Sequence, residues 1–166
     1  MKTTDDLWAA FAGESQANRK YTAWAKQADR EGYPEVAKLF RAIAEAETIH
    51  AHNHLRTLGE VKSTAENLKA AMGGEHYEVV SMYPEFMEDA EADEQTRALR
   101  TFKWAWEVEK IHEKLYEAAL DNLEKDSGED VTYWVCATCG HTVTGDEPPD
   151  ECPICRSKAS AYRKIN

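Results

Sequence analysis

Glu47 and His50, and again Glu109 and His112, form two Glu-x-x-His pairs on stripes that otherwise belong to a protein interior. A spacing of three puts carboxylate and imidazole on one helical face, one turn apart. An unpaired buried carboxylate costs several kcal/mol, roughly the stability margin of a small domain. Glu14 lies on a stripe of its own with Leu7, Phe11, Asn18, Tyr21, Ala25 and Ala28. Glu75 lies on another, with Leu68, Met72, Val79, Met82 and Phe86, and Glu78 follows one turn on. Five carboxylates and two imidazoles directed at one core repel each other unless cations sit among them. Two divalent or trivalent metals supply that compensation, and iron and manganese both suit the donor set. One Glu from each of two helices and Glu-x-x-His from each of two others is the layout of a di-metal helical bundle.

Other candidates on these stripes carry less. A lone Glu-x-x-His in a chain with 31 acidic residues is ordinarily a solvated face; two in register are not. His52 points away from the stripe and reads as surface. His54 reads as a core or boundary histidine, and His76 yields to its neighbour Glu75. Packing alone accounts for Tyr21 and Tyr83, but their matched positions favour hydroxyls bonded to the ligand shell.

Cys136, Cys139, Cys152 and Cys155 are all the cysteines, in two Cys-x-x-Cys turns twelve residues apart. Reduced thiols in this pattern read as a four-sulfur metal site, with zinc and iron both admissible. Zinc would staple a unit of about forty residues that is too small to hold itself together. Iron would do the same and carry an electron, and a neighbouring di-metal site favours it.

Four helices must position the carboxylates. The first starts near Thr4 and breaks at "EGYP", where Gly32 ends one helix and Pro34 opens the next. The second carries Val36, Phe40, Ile43, Glu47, His50, His54 and Leu58 and ends near Gly59. "STAE", from Ser63 to Glu66, is a capping box that opens the third, and Pro84 should kink or interrupt it. The fourth spans roughly 94–125 with Leu99, Phe102, Trp106, Glu109, His112, Tyr116 and Leu123. An internal repeat of offset 62 lays Tyr21 on Tyr83, Phe40 on Phe102, Glu47 on Glu109 and His50 on His112, which makes the helices two like hairpins. Composition changes at "EKDSGED", so a helical domain at 1–127 and a small β domain at 128–166 are expected.

A net charge of −11 argues against nucleic acid and anionic membrane as partners. No apolar run reaches the ~20 residues that span a bilayer. The acidic start "MKTTDDLWAAF" lacks the layout of a secretory signal, so a cytoplasmic protein is expected.

"FAGESQANRKYTAWA", the pair 47–50, "GEHYEVVSMYPEF", the pair 109–112 and "CATCG…CPIC" together resemble the rubrerythrin family, in its order and over nearly the whole chain. The resemblance implies a mainly α fold: a ferritin-like four-helix bundle with a small C-terminal rubredoxin-like β domain. It implies a non-haem di-iron peroxidase that reduces hydrogen peroxide to water and protects against oxidative stress. Two irons would be held by Glu14, Glu47, His50, Glu75, Glu78, Glu109 and His112, with Glu47 and Glu109 bridging. Glu78 and His50 would exchange at one iron as its redox state changes. A third iron in the four cysteines would pass electrons from an external donor. Tyr21 and Tyr83 would be the family's tyrosines beside the ligands. A homodimer is also implied, and reach supports it: the fourth helix ends ~20 Å past His112, so a cysteine domain beyond it should serve the partner's site. The alternative is a ferroxidase or iron-binding protein of the ferritin superfamily, for which the cysteine domain has no evident use.

Overall fold

The structure is a computed structural model that describes residues 1–125 and 131–165. The boundary expected at 127/128 and residues 126–130 of the linker lie outside the described residues. The chain divides into two compact units, Met1–Lys62 and Ser63–Asn166.

The first unit is a helical hairpin of α1 (Lys2–Arg30) and α2 (Pro34–Thr57). Gly32 takes φ +82° in the turn, and Pro34 is the first residue of α2, where its missing N–H costs nothing. The helices meet along Ala25, Ala28, Ala37, Ala44 and Ala51, all buried. Val36 and Ile43, expected inside, are exposed. Two helices enclose only the strip between their axes, and the smallest side chains take it. Asn18 is the polar member of that strip, donating from Nδ2 to the Ala44 carbonyl at 2.6 Å and to Thr48 Oγ1 at 2.7 Å.

The second unit opens with α3 (Thr64–Tyr77), capped as its sequence predicts by Ser63 and Glu66. A π turn (Glu78–Met82) leads into α4 (Tyr83–Ala92). The interruption expected at Pro84 is therefore a single wide turn just before it. Tyr83 donates its N–H to the Glu78 carbonyl, five residues back. In that register the Val79 carbonyl would need the N–H of Pro84, which has none. The Trp106 indole donates to it instead, at 2.9 Å. Trp106 lies on α5 (Thr96–Asp121), which a short 3₁₀ turn (Leu123–Lys125) follows.

Three short strands complete this unit: β1 (Tyr133–Cys136), β2 (Thr142–Thr144) and β3 (Tyr162–Ile165), all antiparallel in the order β2-β1-β3. Cys136 pairs across the sheet with Tyr162. Their core adds Cys152, with Trp134, Val143 and Ile154 packed against it. Among the described residues no helix is long and apolar enough to cross a membrane.

Candidate metal centres

In the first unit Glu14 projects from α1, and Glu47 and His50 from α2. One ligand atom from each lies within 4.8 Å of the others. His50 Nδ1 is 2.8 Å from Glu47 Oε2 and 4.0 Å from Glu14 Oε1. The second unit builds the same cluster from Glu75 on α3 with Glu109 and His112 on α5. His112 Nδ1 is 2.6 Å from Glu109 Oε2. The repeat extends to the aromatics. Tyr21 and Tyr83 stand 6.2 and 6.3 Å from Phe40 and Phe102, and Trp24 and Phe86 stand 5.8 and 5.6 Å from the same rings. The sequence comparison missed the Trp24–Phe86 correspondence, although the offset of 62 contains it.

Electrostatics show what the second cluster lacks. Glu75 is pushed up to about 7, first by burial, then by the charge of Glu109 and the hydrogen bond it makes to Glu109. Glu78 stands outside the close triad, on the π turn. Its carboxyl is also raised, by burial and then by the Glu109 charge. His112 is raised chiefly by its hydrogen bond to Glu109, which outweighs burial. Tyr83 is raised by burial and then by the charges of Glu78, Glu109 and Glu75, which keeps its hydroxyl protonated. Carboxylates that hold protons against each other are what a cation would relieve.

Three further histidines fall where the sequence put them. His52 is exposed, His54 half-buried, and His76 pairs with Glu113 at 2.8 Å, outside either cluster.

The four cysteines converge from two alike turns. Gly140 donates its N–H to the Cys136 carbonyl at 2.9 Å, and Arg156 its own to the Cys152 carbonyl at 3.0 Å. Both take left-handed backbone, φ +85° and +64°. Cys136 and Cys155 sulfurs are 3.7 Å apart, and those of Cys139 and Cys152 are 3.6 Å apart. A tetrahedral metal with bonds of ~2.3 Å has an edge of about 3.8 Å, so the donors fit one metal. Burial pushes the Cys152 thiol up, but the Cys155 and Ile154 amides and the Tyr162 hydroxyl outweigh it and hold it at about 6. Burial raises Cys139. His141 Nδ1 lies 2.6 Å from the Tyr162 hydroxyl, so a buried polar chain ends on a sulfur.

One contact was not legible in the sequence. Thr142, three residues after Cys139, places Oγ1 2.9 Å from His112 Nε2. Gly140 packs on the buried Val108 of α5, one turn before His112. The cysteine turn thus rests on α5 of its own chain. The premise that it reaches only beyond the helix end, ~20 Å away, does not hold, because after the linker the chain doubles back along α5.

The fold and the donor sets define a class: ferritin-like helices carrying Glu/His clusters, with a rubredoxin-like four-cysteine domain. The family profile Rubrerythrin matches residues 5–120, and the profile for the rubrerythrin rubredoxin-like domain matches 134–163. Rubrerythrin-2 of Clostridium acetobutylicum is 36% identical, covering 97% of this chain and 95% of that protein. Rubrerythrin of Porphyromonas gingivalis is 38% identical over 93% of this chain and 85% of its own. The structure of mixed-valence nigerythrin is similar with a TM-score of 0.58 and 33% identity, covering 98% of this chain and 86% of that one. The chain belongs to the rubrerythrin family. Its cofactors are those the donor sets fit, a pair of irons and a single iron in four thiolates.

Proposed function

We propose that this oxidoreductase is a peroxidase that reduces hydrogen peroxide to water and protects its cell from oxidative stress. The observation that carries the reading is the pairing of duplicated Glu/His clusters with a four-cysteine site whose loop touches one of the clustered histidines. Glu14, Glu47, His50, Glu75, Glu78, Glu109 and His112 would hold the two irons, and Cys136, Cys139, Cys152 and Cys155 the third. When bound, the iron pair would supply Lewis acidity and the two electrons that, with two protons from solvent, convert peroxide to two waters. Glu47 and Glu109, each hydrogen-bonded to the histidine a turn on, would each give the pair a carboxylate beside an imidazole. Glu78, at the start of the π turn, would supply a further carboxylate to the pair. Tyr83 lies in the field of Glu78, Glu109 and Glu75, and Tyr21 is its counterpart in the other hairpin. An external redox protein or reductase would deliver electrons to the four-sulfur iron.

The working form is a homodimer. Trp8, Trp24, Leu39 and Ile49 are exposed on the first hairpin, and no side chain larger than alanine except Asn18 is buried among its described residues. Apolar surface of that extent seeks a partner, and a second copy supplies it. Sedimentation equilibrium of the iron-loaded protein checks this; a strict monomer with full turnover overturns it.

The test of function is anaerobic. Reduced, iron-loaded protein mixed with peroxide should recover the red colour of ferric four-thiolate iron, with two waters formed per peroxide. A colourless preparation with zinc in the cysteines, or uptake of many irons per chain without peroxide turnover, would favour the ferroxidase or iron-binding alternative.

A further inference from the structure

Thr142 does not belong to the ligand set, yet it joins the two kinds of metal site. Its hydroxyl donates to the Gly140 carbonyl at 3.0 Å. With that proton committed, Oγ1 can only accept from His112 Nε2, 2.9 Å away. Nε2 must therefore carry a hydrogen, which leaves Nδ1 as the ring's ligand atom. Nδ1 is the atom that faces Glu109 and the cluster. Gly140 is bonded to Cys139, so the chain Cys139–Gly140–Thr142–His112 runs from one donor set to the other through one covalent step and two hydrogen bonds.

We infer that Thr142 is a positioning residue that fixes the His112 tautomer and closes a route for electrons from the four-cysteine iron to the carboxylate-held pair. The inference rests on the peroxidase reading for its electron-transfer arm only. Each transfer oxidises the four-sulfur iron from ferrous to ferric and reduces one iron of the pair from ferric to ferrous. No bond breaks, and the Nε2 hydrogen stays in place.

Two variants test it, Thr142→Val, which keeps the shape and loses the hydroxyl, and Thr142→Ser, which keeps the hydroxyl. The first readout is nitrogen-15 NMR of the zinc-loaded protein. Wild type and Thr142→Ser should show the His112 Nε2 hydrogen protected from exchange, and Thr142→Val, which leaves only the Gly140 backbone as its partner, should lower that protection. The second is the rate at which the reduced four-sulfur iron is oxidised after peroxide is added. Thr142→Val should slow it about tenfold, as loss of a partner to a ligating histidine does, and Thr142→Ser should restore it. An unchanged visible spectrum of the four-sulfur iron in Thr142→Val establishes that the domain is intact. Equal protection and equal transfer rates in all three proteins overturn the role of Thr142. A wild type that does not oxidise its four-sulfur iron on peroxide overturns the peroxidase reading instead, and the NMR result still judges Thr142.

Discussion

The two hairpins carry one chemical plan in different surroundings. Glu47 and Glu109 are equally covered, each with a side chain 15% exposed, but His50 is 53% exposed and His112 only 26%. The second hairpin also has a third carboxylate, Glu78, a π turn to present it and a hydroxyl from the cysteine loop on its histidine. A duplicated unit has thus become asymmetric: one histidine is held at Nδ1 and half-exposed, and the other is held at both ring nitrogens.

The largest expected effect tests whether the halves are equivalent as ligands. Glu47→Ala and Glu109→Ala should each leave the four-sulfur iron bound, release the other two, and cut peroxide turnover by more than the roughly 100-fold that loss of an outer partner causes. Iron analysis and visible spectra check both. If either variant keeps its iron pair and its turnover, the two clusters do not contribute alike, and the comparison fails at its root.

Next in size is the pH dependence of the metal-free protein, which isolates the second cluster. Glu75 has an ordinary value of 4.5 and is raised to about 7 in the fold. Between those limits the folded chain holds the extra proton, so stability falls as pH rises through the window. His112 acts in the same direction: its contribution is fully present below about 6.5 and is lost as pH rises through its raised folded value. Metal displaces both protons, so binding should tighten over the same range. Urea unfolding of the metal-free protein at pH 5 and pH 7.5 should show the decline, and Glu75→Gln should flatten the lower part of it. A decline unaltered by Glu75→Gln would place its source elsewhere.

A smaller effect separates how each hairpin is tied. Trp106→Phe leaves the Val79 carbonyl without its indole donor, beside a proline that cannot replace it. A cost of about 1–3 kcal/mol is expected. Asn18→Ala should cost less, because the Ala44 carbonyl it bonds also accepts the in-helix N–H of Thr48. Denaturant midpoints rank the two, and the reverse order would mean that the π turn is held by something other than Trp106.

These ties show where the sequence was readable. Helical periodicity carried Glu14, Glu47, His50, Glu75, Glu109 and His112 to their faces, since each face is set by neighbours within one turn. The capping box at Ser63 and the turn at Gly32 are local in the same sense. Cys-x-x-Cys spacing was enough for the four sulfurs. Pro84 announced an interruption, but the form it took depends on Trp106, 22 residues away, so local rules could not give it. The contact of Thr142 with His112 spans 30 residues and the linker, and no pattern in either segment encodes the other. Ile43 and Val36 failed as core residues for a different reason: periodicity names the apolar face and says nothing about which neighbour covers it.

The smallest expected effect concerns the matched tyrosines. Tyr21 packs among Trp24 and Phe40, Tyr83 among Phe86 and Phe102, so as rings they are interchangeable. Tyr83 differs in lying within the field of Glu78, Glu109 and Glu75, which adds to burial in raising its hydroxyl. Zinc in the cluster cancels the carboxylate part of that rise and leaves the burial part. Tyr83 should therefore ionise at lower pH in zinc-loaded than in metal-free protein while staying above the ordinary 10.0. Carbon-13 labelling of the tyrosine ring and titration of both forms measures this directly, with Tyr83→Phe assigning the signal. Turnover should fall less than about tenfold in Tyr83→Phe, and less again in Tyr21→Phe. If zinc leaves the Tyr83 titration where it was, the charges that raise it are not the ones the metal neutralises, and Glu75, Glu78 and Glu109 do not act as one ligand group.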